Sequence, residues 1–227
     1  MRKYIKYLFN KALKERKEYS LHNIPIYILN PLPKHINILY VIEKIKNNIQ
    51  RSFLSNIDGI YVGEFPEFEE RNIEAIFKDG AIYLSSFQDN ANQVSEELII
   101  KNIVHEIAHA IEETHGHILY SDSLLENEYN GKKQRLVSLL KQEEYRFPEK
   151  LFFSEKFVDE LDYYLYKKIG YDKLSILGVG LFLSPYSITS IREYFANGFE
   201  EYFMGDSKYL KTISPVLFNK IEKLEED

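Results

Sequence analysis

The 227-residue chain contains no cysteine, so a disulfide framework and any thiolate metal site are excluded. A metal ion would have to be held by histidine and carboxylate, which directs attention to the six histidines. Cationic charge is also short, with 29 Lys and Arg against 35 Asp and Glu and a net charge of −6. No basic excess is left over for phosphates or anionic lipid, which argues against nucleic-acid and membrane-surface partners. No apolar run reaches the roughly 18 residues of a membrane span, and the charged N-terminus, MRKYIKYLFNKALKERKEYS, lacks the apolar stretch of a secretory signal. The expected compartment is therefore the cytoplasm, or the outside by a non-classical route or as a mature secreted domain. Tryptophan is absent, whereas tyrosine occurs 18 times, so a tyrosine needs independent support before it is given a role. What the chain does have is 44% hydrophobic residues, enough for a substantial core.

There is no internal repeat, no low-complexity tract and no Pro/Gly-rich linker, and a single domain over 1–227 is expected. Residues 2–18 read as a short basic surface helix. Ile24 to Leu29 and Ile57 to Val62 read as strands, and Lys34 to Phe53 repeats apolar residues at helical spacing. Two apolar runs about Asp79-Gly80 give the hairpin signal. After 88–94, Ser95 is a natural N-cap, with Glu96 and Glu97 in the first turn of a helix that Gly116 should stop. Helices are expected beyond it over 124–144 with interruptions, 155–168, 189–204 and 216–223, and 175–185 has no clear assignment. An α/β lobe over 1–90, a helix over 95–116 and a helical lobe over 150–227 make an α+β chain.

Within the helix that starts at Ser95 lies V-H-E-I-A-H-A, which places His105, Glu106 and His109 in an H-E-x-x-H arrangement. At about 100° per residue, His109 sits roughly 40° round from His105 and about 6 Å along the axis, so both imidazoles can face one ion. Glu106 falls beside the ion instead of on it, the position of a base for water activated by zinc. Ile100, Val104, Ile107, Ala108 and Ile111 form an apolar stripe beside the pair, so one side of the helix can pack while the next strip lines a cleft.

A catalytic zinc site needs a third protein ligand. His115 and His117 follow the expected helix end and would have difficulty reaching the same ion. His22 and His35 lie beside proline-bounded loops with no partner pattern. Glu193, in S-I-R-E-Y-F-A-N, lies off the aromatic stripe of its helix, and a zinc ion would give it a partner. Ser190-x-x-Glu193 also matches a capping box, and pattern alone does not choose between the two roles. Glu200 and Glu201 are alternatives.

VHEIAHAIE followed by YSITSIREYFANGFEEYF resembles the catalytic domain of anthrax toxin lethal factor and the clostridial Pro-Pro endopeptidases. The second motif is also similar to that of the Mlc titration factor peptidases. The resemblance covers 20–225 and implies a zincin-like domain that binds one Zn²⁺ through His105, His109 and Glu193. It also implies Glu106 as general base and Tyr186, seven residues before Glu193, as the donor to the transition state. The stretch between His109 and Glu193 is longer than in those relatives, with 121–148 as the extra material. Asn197 stands where lethal factor-like sequences often have Glu, and its carbonyl could support an imidazole N–H. The expected activity is zinc metalloendopeptidase action on protein or peptide substrates. The alternatives are a lethal factor-like binding module without catalysis, and an intracellular regulatory peptidase or aminopeptidase of the Mlc titration factor type. The strand at 81–85, just before the helix with H-E-x-x-H, is a candidate for pairing with an extended substrate, unless it is interior.

Overall fold

The first strand signal, Ile24 to Leu29, ends in a mixed sheet because its neighbours in space are not its neighbours in sequence. The computed structural model describes residues 19–71, 73–86, 94–147 and 149–226; the helix expected over 2–18 and nearly all of 88–94 lie outside them. The chain is α+β, and it divides into two compact units, 1–111 and 112–227.

In the first unit, β1 (Tyr19–Leu21), β2 (Ile24–Ile28), β3 (Gly59–Gly63), β4 (Ala75–Lys78) and β5 (Ala81–Ser85) form one sheet in the order β1-β2-β3-β5-β4. The inner pairs β2/β3 and β3/β5 are parallel, and the outer pairs β1/β2 and β4/β5 are antiparallel hairpins. Asp79 and Gly80, with φ of 53° and 75°, make the two-residue turn of the second hairpin, which has positive φ at both central residues. Parallel register puts Ile26, Ile60 and Ile82 in line on one face, with exposures of 4% or less, and Tyr27, Tyr61 and Tyr83 in line on the other. The tyrosine rings stack with centroids 5.1 and 5.3 Å apart and pack with Leu29, Phe65 and Phe68. The buried face needs helices over it, and α1 (Ile38–Asn48) supplies Ile38, Val41, Ile42 and Ile45. Asn37 caps α1 by accepting from Leu39 and Tyr40 N–H, and the helix ends at Asn48, so a separate 3₁₀ turn, Arg51–Leu54, completes the region expected as one helix. A short α2 (Pro66–Arg71) follows β3.

Helix α3 (Glu96–Tyr120) begins as expected, with Ser95 Oγ accepting from Leu98 N–H at 3.2 Å. It does not stop at Gly116. His115 leaves helical geometry (φ −113°, ψ 16°), and one further turn follows to Tyr120, so the glycine marks a kink and not an end.

The second unit is helical. Its hub is α4 (Leu124–Gln142), which neighbours α5 (Glu149–Phe152), α7 (Tyr171–Leu177), α8 (Ile191–Met204) and α10 (Pro215–Glu226). The segment that the family resemblance leaves unexplained, 121–148, thus supplies the helix on which this unit is assembled. It is also uninterrupted, because the polar residues that break its apolar pattern, Lys132 and Lys133, are themselves buried. Lys132 Nζ donates to Leu181 and Ile213 C=O at 2.6 Å and to Ser214 Oγ at 2.9 Å, and Lys133 Nζ donates to Ser154 C=O at 2.8 Å. The helix expected over 155–168 is instead α6 (Asp159–Tyr163), running into a π turn at Tyr164–Ile169. A helix missed from sequence, α9 (Ser207–Ile213), sits between α8 and α10. Gly198 allows close approach of α8 and α10, since a Cβ there would overlap Leu217. No helix among the described residues is long and apolar enough to cross a membrane.

Candidate metal centre

His105 and His109 lie on consecutive turns of α3, and their rings meet edge to face with centroids 4.9 Å apart. His109 is 7% exposed, and His105 is partly exposed. Glu193 stands in the first turn of α8, where Ser190 Oγ caps the helix by accepting the Glu193 N–H at 3.1 Å. Among the described residues, His105, His109 and Glu193 form one group that can hold a metal ion: each offers one ligand atom, and these atoms lie within 4.8 Å of one another. The cap and the ligand role are thus compatible, because Ser190 uses the backbone of Glu193 while the carboxylate joins the group. Glu200 and Glu201 are outside this group; Glu201 Oε1 accepts from Asp206 N–H at 2.9 Å, just beyond the end of α8.

The donor set suits zinc. Ligand bonds of about 2.0–2.2 Å in tetrahedral geometry separate donors by roughly 3.4 Å, within the observed bound, and two imidazoles with one carboxylate leave a position open.

Glu106 is 6% exposed, and its Oε2 accepts from Phe77 N–H at 2.5 Å. That N–H is available because of hairpin register. Lys78 and Ala81 flank the two-residue turn and Ser85 N–H donates to Glu74 C=O, so Phe77 falls at a position whose N–H points away from β5. Pairing of β5 with a substrate is ruled out, since β5 is flanked by β3 and β4; among the described residues the outer strand beside it is β4.

Tyr186 lies in a 3₁₀ turn, Tyr186–Ile188, that leads into α8, and its side chain is 39% exposed. Asn197 does not take the imidazole-supporting role expected of its carbonyl. Its Oδ1 accepts from Ser184 O–H at 2.7 Å, and its Nδ2 donates to Glu193 C=O at 2.9 Å. Three other histidines bond elsewhere: His22 and His35 Nε2 bond the carbonyls of Ile49 and Val94, and His115 Nδ1 pairs with Thr114 Oγ1.

Sequence reading missed one cluster beside the histidine pair. Glu112, one turn beyond His109, forms an ion pair with Arg192 (Nε to Oε2 2.9 Å) and accepts from Tyr120 O–H at 2.5 Å. Burial and the Glu112 charge push the Tyr120 phenol far above its ordinary range, so it stays protonated and donating. The i, i+3 spacing of His109 and Glu112 was legible; the partner from α8 was not.

No family model matches the chain, and no curated protein and no solved structure shows significant similarity to it.

Proposed function

We propose that this chain is a zinc-dependent metallopeptidase with a zincin-like site of the lethal factor type. The observation that supports the reading is the meeting of Glu193 with the two histidines of H-E-x-x-H, three residues from two helices far apart in sequence. A Zn²⁺ ion held there would act as a Lewis acid on a peptide carbonyl and lower the pKa of water. Glu106 takes the proton of the attacking water and passes it to the leaving amide nitrogen; its burial and the Phe77 N–H hold the carboxylate in place. Tyr186 donates a hydrogen bond to the oxyanion, an interaction worth about 3 kcal/mol in comparable sites.

The test is digestion of a proteome-derived peptide library with zinc quantified in the same preparations. The wild-type chain should bind one zinc and cleave within peptides, whereas Glu106→Gln should retain the metal and lose at least about 10³-fold in rate. Glu193→Ala should lose both. Undiminished cleavage by Glu106→Gln, or a wild-type chain without stoichiometric zinc, would refute the assignment.

A further inference from the structure

The Tyr186 side chain is more than a third exposed, and the backbone turn beneath it sets where it starts from. That turn, Ser184-Pro185-Tyr186-Ser187, is closed by its own serines: Ser187 N–H donates to Ser184 Oγ at 3.2 Å, and Ser187 O–H donates to Ser184 C=O at 2.6 Å. Beyond it, Thr189 donates to Tyr186 C=O through both N–H (3.0 Å) and O–H (2.7 Å), and Tyr129 O–H donates to Ile188 C=O at 2.8 Å. Ser187, Ile188 and Thr189 are fully buried. On its other side the turn is tied to α8. The Ser184 hydroxyl donates to Asn197 Oδ1, and the Asn197 amide donates to Glu193 C=O. A carbonyl oxygen only accepts, so the amide nitrogen must face Glu193 and the amide oxygen must face the serine.

We propose that Asn197, acting through Ser184, is a positioning residue for Tyr186, holding its turn at a set place relative to the ligand-bearing start of α8. This rests on the reading of Tyr186 as oxyanion donor. The chemistry calls for an amide. A carboxylate at 197 would still accept from Ser184 but would set an oxygen against the Glu193 carbonyl with no proton between them. The residue that departs from the lethal factor pattern thereby gains a reason: at this site a donor and an acceptor are needed on one side chain.

Asn197→Ala and Ser184→Ala should each lower kcat about 10-fold, with KM and zinc stoichiometry unchanged, since small misplacements of a reacting group are costly. Ser184→Thr, which keeps the hydroxyl, should restore the rate, and Asn197→Ala should add nothing in a Tyr186→Phe background. A readout independent of hydrolysis is 3-fluorotyrosine placed at 186. Its ¹⁹F resonance should be single and narrow in the parent, broadened or shifted by Asn197→Ala and Ser184→Ala, and recovered by Ser184→Thr. If the resonance moves as stated while the parent chain cleaves nothing, the positioning role stands and the peptidase reading falls. A resonance unmoved in both alanine variants, or rate losses that multiply with Tyr186→Phe, would overturn the proposal. Ser184→Ala removes a single hydroxyl, which keeps the test open should Asn197→Ala fold poorly.

Discussion

The two units bury different kinds of polar side chain. Among the described residues, the buried acidic, histidine and basic side chains of the strand-containing unit are Glu106 and His109, both on the H-E-x-x-H face of α3. In the helical unit they are Lys132, Lys133 and Lys220, and all three donate to backbone carbonyls. One unit is built on a strand register that aligns apolar rows, which needs no internal charge. The other packs short helices and irregular turns whose carbonyls would otherwise lie buried without donors, and lysine ammoniums supply them. The difference lies in what the groups meet: the three ammoniums each donate to main-chain oxygens, whereas His109 joins His105 and Glu193 in a group of side chains that can hold a metal ion.

The comparison can be broken from either side. Lys132→Ala strips Leu181, Ile213 and Ser214 of a shared donor and should destabilise the helical unit by about 3–5 kcal/mol. Ile82→Ala in the sheet should cost about 2–5 kcal/mol through a cavity alone. Hydrogen exchange resolved by segment would assign each loss to its unit, and a lysine variant costing under about 1 kcal/mol would undo this account of the lysines.

A smaller effect separates the units by pH. Burial pushes the Lys133 amine down to about 7, against the pull of Glu155, and Lys132 down to about 8. In the unfolded chain both titrate near 10.5, so between pH 7 and that value the unfolded state holds more protons and stability rises with pH. The rise ends near pH 10, where tyrosines of the unfolded chain ionise while Tyr129 and Tyr194, raised by burial, stay neutral. Denaturant unfolding should show a gain on the order of 2 kcal/mol from pH 7 to 9. Lys133→Met should flatten it, and an unchanged slope in that variant would remove Lys133 as its source.

The smallest expected effect is a gain. Gly131 lies in the interior of α4, and a Cβ added there would meet nothing within 4 Å, so Gly131→Ala should stabilise by about 0.5–1 kcal/mol in thermal melts. A loss instead would mean that the hub helix tolerates less than its open side implies.

Elements ruled by local chemistry were legible in the residues. Asp79-Gly80 announces its hairpin, Ser95 its helix start, and the 3.6-residue period the stripe of α1. What escaped depended on partners far along the chain. The hairpin that β1 makes with β2 turns at His22-Asn23, which carries a weaker turn signal than Asp-Gly, with His22 at φ 51°. Helix α4 looked interrupted because lysine reads as exposed, and only packing reveals carbonyls waiting for it. Asn197 stood out only as a departure from the pattern the chain resembles, and its partner is a serine on a turn that sequence left unassigned.

By itself the sequence determined that any metal must be held by histidine and carboxylate, and that His105 and His109 share a helix face. The first follows from composition, the second from the fixed 3.6-residue turn. Tertiary structure decided where the Glu193 carboxylate lies. Its spacing from Ser190 satisfies a helix cap, and its carboxylate meets the two histidines as well. A local pattern encodes backbone hydrogen bonding within one turn, whereas the meeting of side chains from distant helices depends on how those helices pack.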